Sequence, residues 1–216
     1  MRLTGALFEA CVESLREARE AAAFGADRVE LCFDLEHDGC TPPRALVEQC
    51  SAIGIPVIAM VRPRVGDFAY SRTEVDTMCA AMHDLAASGA LGFATGALLG
   101  RDGLDVAATT RLVAAAGALP VTFHRAFDRL ADLDGALELL IELGVRRVLT
   151  TGGAFSAMEG LDRLRRLVDR AAGRIEIVAA GGIRPSNVDR IVGASNAPAV
   201  HARWSGWRDD PTPVSR

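Results

Sequence analysis

Residues 7–32 read LFEACVESLREAREAAAFGADRVELC. A short β-type run (7–11) leads into an Ala-, Glu- and Arg-rich helical stretch (12–24). Gly25 stands where a left-handed helix cap belongs, and a second β-type run follows at 28–32. Two strands joined by a helix must pair in parallel, because only a long crossover returns the chain to the same end of a sheet.

The same unit recurs along the chain. Strands are expected at 56–61, 91–95, 120–124, 147–150, 175–180 and 199–202, and helices at 42–53, 71–88, 105–116, 133–143, 156–171 and 185–192. Gly89, Gly117, Gly144 and Gly173 punctuate the helix ends as Gly25 does. Eight short apolar runs separated by helices predict an α/β fold, an eight-stranded parallel (β/α)8 barrel of the TIM type, with chemistry at the C-terminal strand ends. An open doubly wound sheet is the competing topology. It usually brings a glycine-rich first turn, and CVESLREA contains none, so no nucleotide cofactor is expected. Residues 1–216 read as one domain. The segment after the eighth strand is short and carries two prolines, so the final helix is expected to be missing or irregular and 203–216 an irregular tail.

Composition narrows the function. The net charge of −4 excludes a general binder of nucleic acid or anionic membrane, and no apolar run reaches membrane-spanning length. All 24 basic residues are arginine, which removes Schiff-base lysine chemistry. Five cysteines without a pairing pattern, and a start (MRLTGALFEAC) without a long apolar segment, suit free thiols in a reducing cytoplasm.

Charged residues in strands buried on both faces are costly unless paired or functional. Period-2 alternation puts Glu9 and Cys11 on one face of strand one, and Glu30 and Cys32 on one face of strand two. Two carboxylates near Arg62 and His124 are expected to titrate apart, as acid/base chemistry requires, with Asp128 beside them as a further catalytic candidate. Arg62 is equally suited to neutralising a purely structural Glu9–Glu30 pair. Arg64, Arg125 and His201, with the turns at Gly152 and at Gly181-Gly182, are candidates for binding a phosphate or carboxylate. Asp67 and Tyr70 fall in a loop expected to fold over the mouth. Cys11 and Cys32, on adjacent strands at equal depth, are able to bind one soft ion such as Cu(I), and nothing has the spacing of a structural zinc site.

FEACVES (8–14), GADRVELC (25–32), DGCTPP (38–43), VRPRVGDFAYS (61–71), ATGALLGRDGLD (94–105), LPVTFHRAFD (119–128), RRVLTTGG (146–153) and AAGGI (179–183) occur in an order that resembles the CutC copper homeostasis family. The resemblance implies a (β/α) barrel, a cytoplasmic location, homo-oligomers (dimers or higher) and a role in copper tolerance or Cu(I) binding, with Cys11 and Cys32 as the ligands. Two departures stand out: His201-Ala202-Arg203-Trp204 replaces the family's usual His-(Ser or Cys)-Ser-Ala, and family members usually continue further. Three functions are therefore open: Cu(I) binding, acid/base catalysis on a small anionic or phosphorylated metabolite, and a non-catalytic scaffold.

Overall fold

The structure is a computed structural model that describes residues 5–100 and 102–212. The first four residues of the N-terminal stretch and the last four of the expected tail lie outside the described residues. Eight parallel strands close into a barrel: β1 (Leu7–Val12), β2 (Arg28–Leu31), β3 (Val57–Met60), β4 (Gly92–Thr95), β5 (Val121–Phe123), β6 (Arg147–Thr150), β7 (Glu176–Ala179) and β8 (Ala199–Arg203). Each strand pairs with its neighbours in sequence, and β1 pairs with β8 in the register Glu9↔His201 and Cys11↔Arg203. Between them run α1 (Leu15–Phe24), α2 (Arg44–Ser51), α3 (Arg72–Ala87), α4 (Val106–Ala116), α5 (Leu133–Glu142), α6 (Leu161–Ala171) and α7 (Val188–Ser195). The sequence does not announce the small antiparallel ribbon of Leu98–Leu99 and Gly103–Leu104 in the loop after β4.

Alternation along β1 shows how strand residues are sorted. Phe8 reaches outward, its ring 6.1 Å from Phe24 of α1, and joins Ala10 and Val12 in the core between barrel and helices. Glu9 and Cys11 point the other way. Arg28 of β2 reaches Glu176 of β7, which is not its neighbour in the sheet, so these side chains meet inside the barrel. Local signals fix the helices. Ser14 accepts the Glu17 N–H and Gly25 ends α1 at φ 100°, while Ser71 and Glu74 form a reciprocal capping box on α3.

Three helical boundaries differ from expectation. The segment after β6 is a loop as far as Gly160, where α6 begins, because Gly152 and Gly153 adopt left-handed backbone (φ 76° and 75°). α7 starts at Val188, after a turn in which the Asn187 side chain accepts the Arg184 N–H and donates to the Gly182 carbonyl. An eighth helix is present, although it is one short turn, α8 (Trp204–Arg208). Trp207 stacks on Phe8 with ring centroids 4.4 Å apart, and Trp204 donates its indole N–H to Glu20 of α1 at 3.0 Å. Two large aromatic residues of this short helix thus pack against β1 and α1.

Candidate functional site

The mouth of the barrel is a cavity of ≈ 540 Å³ whose walls include Cys11, Glu30, Cys32, Arg62, His124 and His201. One wall comes from β1, β2 and β8. Cys11 Sγ and Cys32 Sγ are 3.9 Å apart, and Cys32 Sγ lies 3.6 Å from Glu30 Oε1. His201 Nδ1 hydrogen-bonds Glu9 Oε1 at 2.8 Å and makes a 3.2 Å ion-pair contact with Glu30 Oε2. The closing register Glu9↔His201 is what brings these side chains together across 192 residues of sequence. Ligand atoms of Cys11, Glu30 and His201 all lie within 4.8 Å of one another.

Beneath this wall runs a buried charge network that sequence reasoning missed. Arg28 Nε donates to Glu9 Oε2 at 2.5 Å and Arg28 Nη2 to Glu176 Oε1 at 2.7 Å, and Arg147 stands 3.6 Å from Glu176. Arg62, the alternative structural partner for the glutamates, does not pair with them. Arg62 donates instead to the carbonyls of His37, Gly39 and Gly66 and so pins the loops after β2 and β3. A signal for Arg28 exists in the sequence, since Arg28, Glu30 and Cys32 share one face of strand two.

The network drives the two glutamates apart. Burial would raise Glu9, but the His201 hydrogen bond and the Arg28 charge outweigh it and bring its carboxyl down to about 2. Glu30 has no arginine, and burial with the Cys11 and Glu9 charges pushes it up to about 8 despite His201. Burial opposes protonation of His201, yet the surrounding Glu30, Cys11 and Glu9 hold its pKa well above the usual imidazole range. The hydrogen bond from Cys32 lowers the Cys11 thiol to about 6 against its burial, and Cys32 itself is pushed up. The wall therefore favours a protonated His201 beside the Glu9 carboxylate, with Cys11 biased toward the thiolate and Glu30 toward its protonated form.

The facing wall behaves differently. His124, at the end of β5, is buried with Nδ1 accepting the Ala126 N–H at 3.2 Å, and its Nε2 has no partner. Burial, reinforced by the Arg62 charge, lowers its pKa to about 3, so the ring is neutral and is no proton acceptor near pH 7. Asp128 accepts hydrogen bonds from the Thr150 hydroxyl (2.5 Å) and the Thr151 and Gly153 amides, besides pairing with Arg125 at 3.1 Å. Its oxygens tie the loop after β5 to the loop after β6 at the edge of the mouth cavity.

The anion-binding candidates divide. Arg64 is removed from the mouth by Glu74 (2.5 Å), Asp67 (3.0 Å) and the carbonyls of Asp67 and Ala69, and its guanidinium lies over the Tyr70 ring. The Gly152 amide is spent on the Thr150 hydroxyl. Arg125, Gly181, Gly182 and His201 do come together, with Arg184 and Arg203 added, around a smaller recess of ≈ 230 Å³. Gly181 must be glycine there, because φ is 87° and a Cβ would strike Thr151.

Comparison with known proteins agrees with this architecture. The family model described as the CutC family matches residues 6–206. A CutC family protein of Caulobacter vibrioides is 41% identical over 200 residues, covering 93% of this chain and 82% of that protein. The human copper homeostasis protein cutC homolog is 42% identical over 206 residues, covering 95% and 76%. The crystal structure of a CutC protein from Streptococcus agalactiae superimposes with a TM-score of 0.86 at 29% identity, covering 91% of this chain and 97% of that one. The chain belongs to the CutC family.

Proposed function

We propose that this chain serves copper homeostasis by binding Cu(I) through Cys11 and Cys32, with His201 and Glu30 beside the sulfurs and able to join only after giving up their protons. The carrying observation is the pair of sulfurs 3.9 Å apart in the wall of the mouth cavity. That separation is less than twice a metal–thiolate bond of about 2.3 Å, so both sulfurs can reach one ion. Thiolate is the donor that soft Cu(I) prefers, and Cys11 is already biased toward the thiolate. The human relative's designation as a copper homeostasis protein supports the same reading. Among the described residues all five cysteines are free, which suits a reducing cytoplasm. Exposed Leu99 and Phe155 suit contacts in a homo-oligomer.

Anaerobic titration with Cu(I) against a competing chelator tests the proposal on the wild type, Cys11→Ser and Cys32→Ser. Tight one-to-one binding lost in both variants is expected. Equal affinity in all three proteins overturns it.

A second reading, proton-transfer catalysis on a small anionic metabolite, is favoured by the split between Glu9 (about 2) and Glu30 (about 8). Glu30 is then the proton carrier, Glu9 keeps His201 charged, and Arg125 with the Gly181-Gly182 turn receives the anion. Incubating the copper-free protein with small oxo acids in D2O tests it. Carbon-bound exchange that disappears in Glu30→Gln supports the reading, and no exchange in the wild type removes it. A non-catalytic scaffold draws support from the burial of Glu9, Glu30, Arg62 and both thiols, and is opposed by the cavity that their wall borders.

A further inference from the structure

We propose that the wall of the mouth opposite the thiols is a binding site for the carboxylate of a small metabolite, with His124 Nε2–H and Arg62 Nε–H as its donors. Both side chains line the cavity, both are buried (4% and 3% exposed), and each has one nitrogen with no hydrogen-bond partner. An unpaired buried donor costs free energy unless something satisfies it, and two in one cavity wall point to an absent acceptor.

Geometry fixes the role of His124. Its Nδ1 accepts the Ala126 N–H, so the neutral ring carries its proton on Nε2. The Nδ1–Cε1 edge is held against Gly96, where a Cβ would stand 2.7 Å from both atoms. A larger residue at position 96 would turn the ring and redirect Nε2. Arg62 is equally constrained, because three of its five N–H groups are spent on loop carbonyls; Nε–H and one Nη2–H remain, beside the buried Tyr70 hydroxyl. The ring of Phe68 packs beside both groups, 4.8 Å from the His124 ring centroid and 5.1 Å from the Arg62 guanidinium, and gives the site an apolar flank.

Charge selects an anion. Arg62, Arg125 and Arg129 all line this side of the cavity, and only Arg125 has a carboxylate partner, Asp128. Two N–H donors match the two oxygens of a carboxylate and are too few for a phosphate dianion, which takes a larger set of amides and cations. His124 then donates a hydrogen bond to the ligand and does not abstract a proton. The site is independent of the thiols across the cavity.

The experiment titrates metal-free full-length protein with sodium pyruvate and, separately, sodium phosphate. It follows the histidine ring nitrogens by NMR and the binding heat by calorimetry. A saturable shift of His124 Nε2 with pyruvate is expected, with phosphate binding far more weakly. His124→Phe should weaken pyruvate roughly tenfold or more, the loss of a hydrogen bond to a charged acceptor. Its Cu(I) affinity should stay at the wild-type value, which separates this site from the copper proposal. Absence of a saturable shift at His124 in the wild type overturns the inference, even if His124→Phe fails to fold. Phosphate binding as tightly as pyruvate overturns the carboxylate assignment.

Discussion

The two walls of the mouth are built from the same materials, a histidine and charged side chains at strand ends, yet they arrive at opposite states. On the β1–β2–β8 wall each titratable group faces another, so His201 is held protonated and Glu9 ionised. On the wall that carries Arg62 and His124 the groups face backbone or nothing, and His124 is held neutral. His124 is buried, and His201 is partly buried with 12% of its side chain exposed. The main difference is charge: His201 has anions within hydrogen-bond reach, whereas His124 has the Arg62 charge, which adds to burial in favouring the neutral ring. The coupled wall is suited to exchanging a proton for a cation, and the uncoupled wall to holding an acceptor.

The largest effect is expected from removing the charge beneath the coupled wall. Arg28→Met leaves the buried Glu9 and the partly buried Glu176 without their shared guanidinium, and truncating one partner of a buried ion pair costs about 3–5 kcal/mol. Chemical denaturation should show a loss of that size at pH 7. Next comes the copper affinity of Cys11→Ser, expected to fall more than a hundredfold, because outer-shell changes alone cost roughly 10- to 100-fold. The same titration in wild type should weaken as pH drops below about 6, where the Cys11 thiolate takes up its proton. Flat affinity from pH 8 to pH 5 would show that Cys11 is no ligand.

The contrast between the walls was partly legible in the sequence. Repeated strand and helix runs, closed by glycines, specify the barrel because each unit is a local signal. Alternation likewise paired Glu9 with Cys11 and Glu30 with Cys32. The same alternation applied to Arg28 would have found the true partner of Glu9, in preference to the nearby Arg62. The position of His201 against the acids was not legible, since it depends on closure of β8 onto β1. Nor was the tie that Asp128 makes to amides presented by a left-handed Gly152-Gly153 turn. Trp204 and Trp207 are spaced for one face of a helical turn, a signal for α8 that the nearby prolines masked.

Glu30 provides a smaller effect with a definite sign. Its folded pKa, about 8, lies above the ordinary carboxyl value of 4.5, so the folded state binds the extra proton. The stability it contributes is complete below pH 4.5 and is lost as pH rises through 8. Glu30→Gln keeps the shape without the titration. Its melting temperature should overtake that of the wild type on going from pH 6 to pH 9, while Glu9 makes the wild type and the variant alike lose stability as pH falls from 4.5 toward 2. Parallel melting curves across pH 6 to 9 would mean that Glu30 is ionised in the folded protein, and the two walls would then differ less than their geometry implies.

The smallest effect should come from the rim. Phe155 borders the cavity but is 89% exposed, on the loop that follows the left-handed glycines. Phe155→Ala removes almost no buried surface in the single chain, so stability should change by no more than about 0.5 kcal/mol. Copper affinity should hold too, because the thiols are braced by β1 and β2 and not by this loop. If the ring instead covers the mouth by packing on a second copy, the variant will shift the oligomer toward monomer in sedimentation while leaving Cu(I) affinity of the monomer intact. An unchanged sedimentation profile assigns Phe155 to the solvent. A loss of copper affinity in that variant would make the rim part of the coupled wall, and the separation between the two walls would fail at that point.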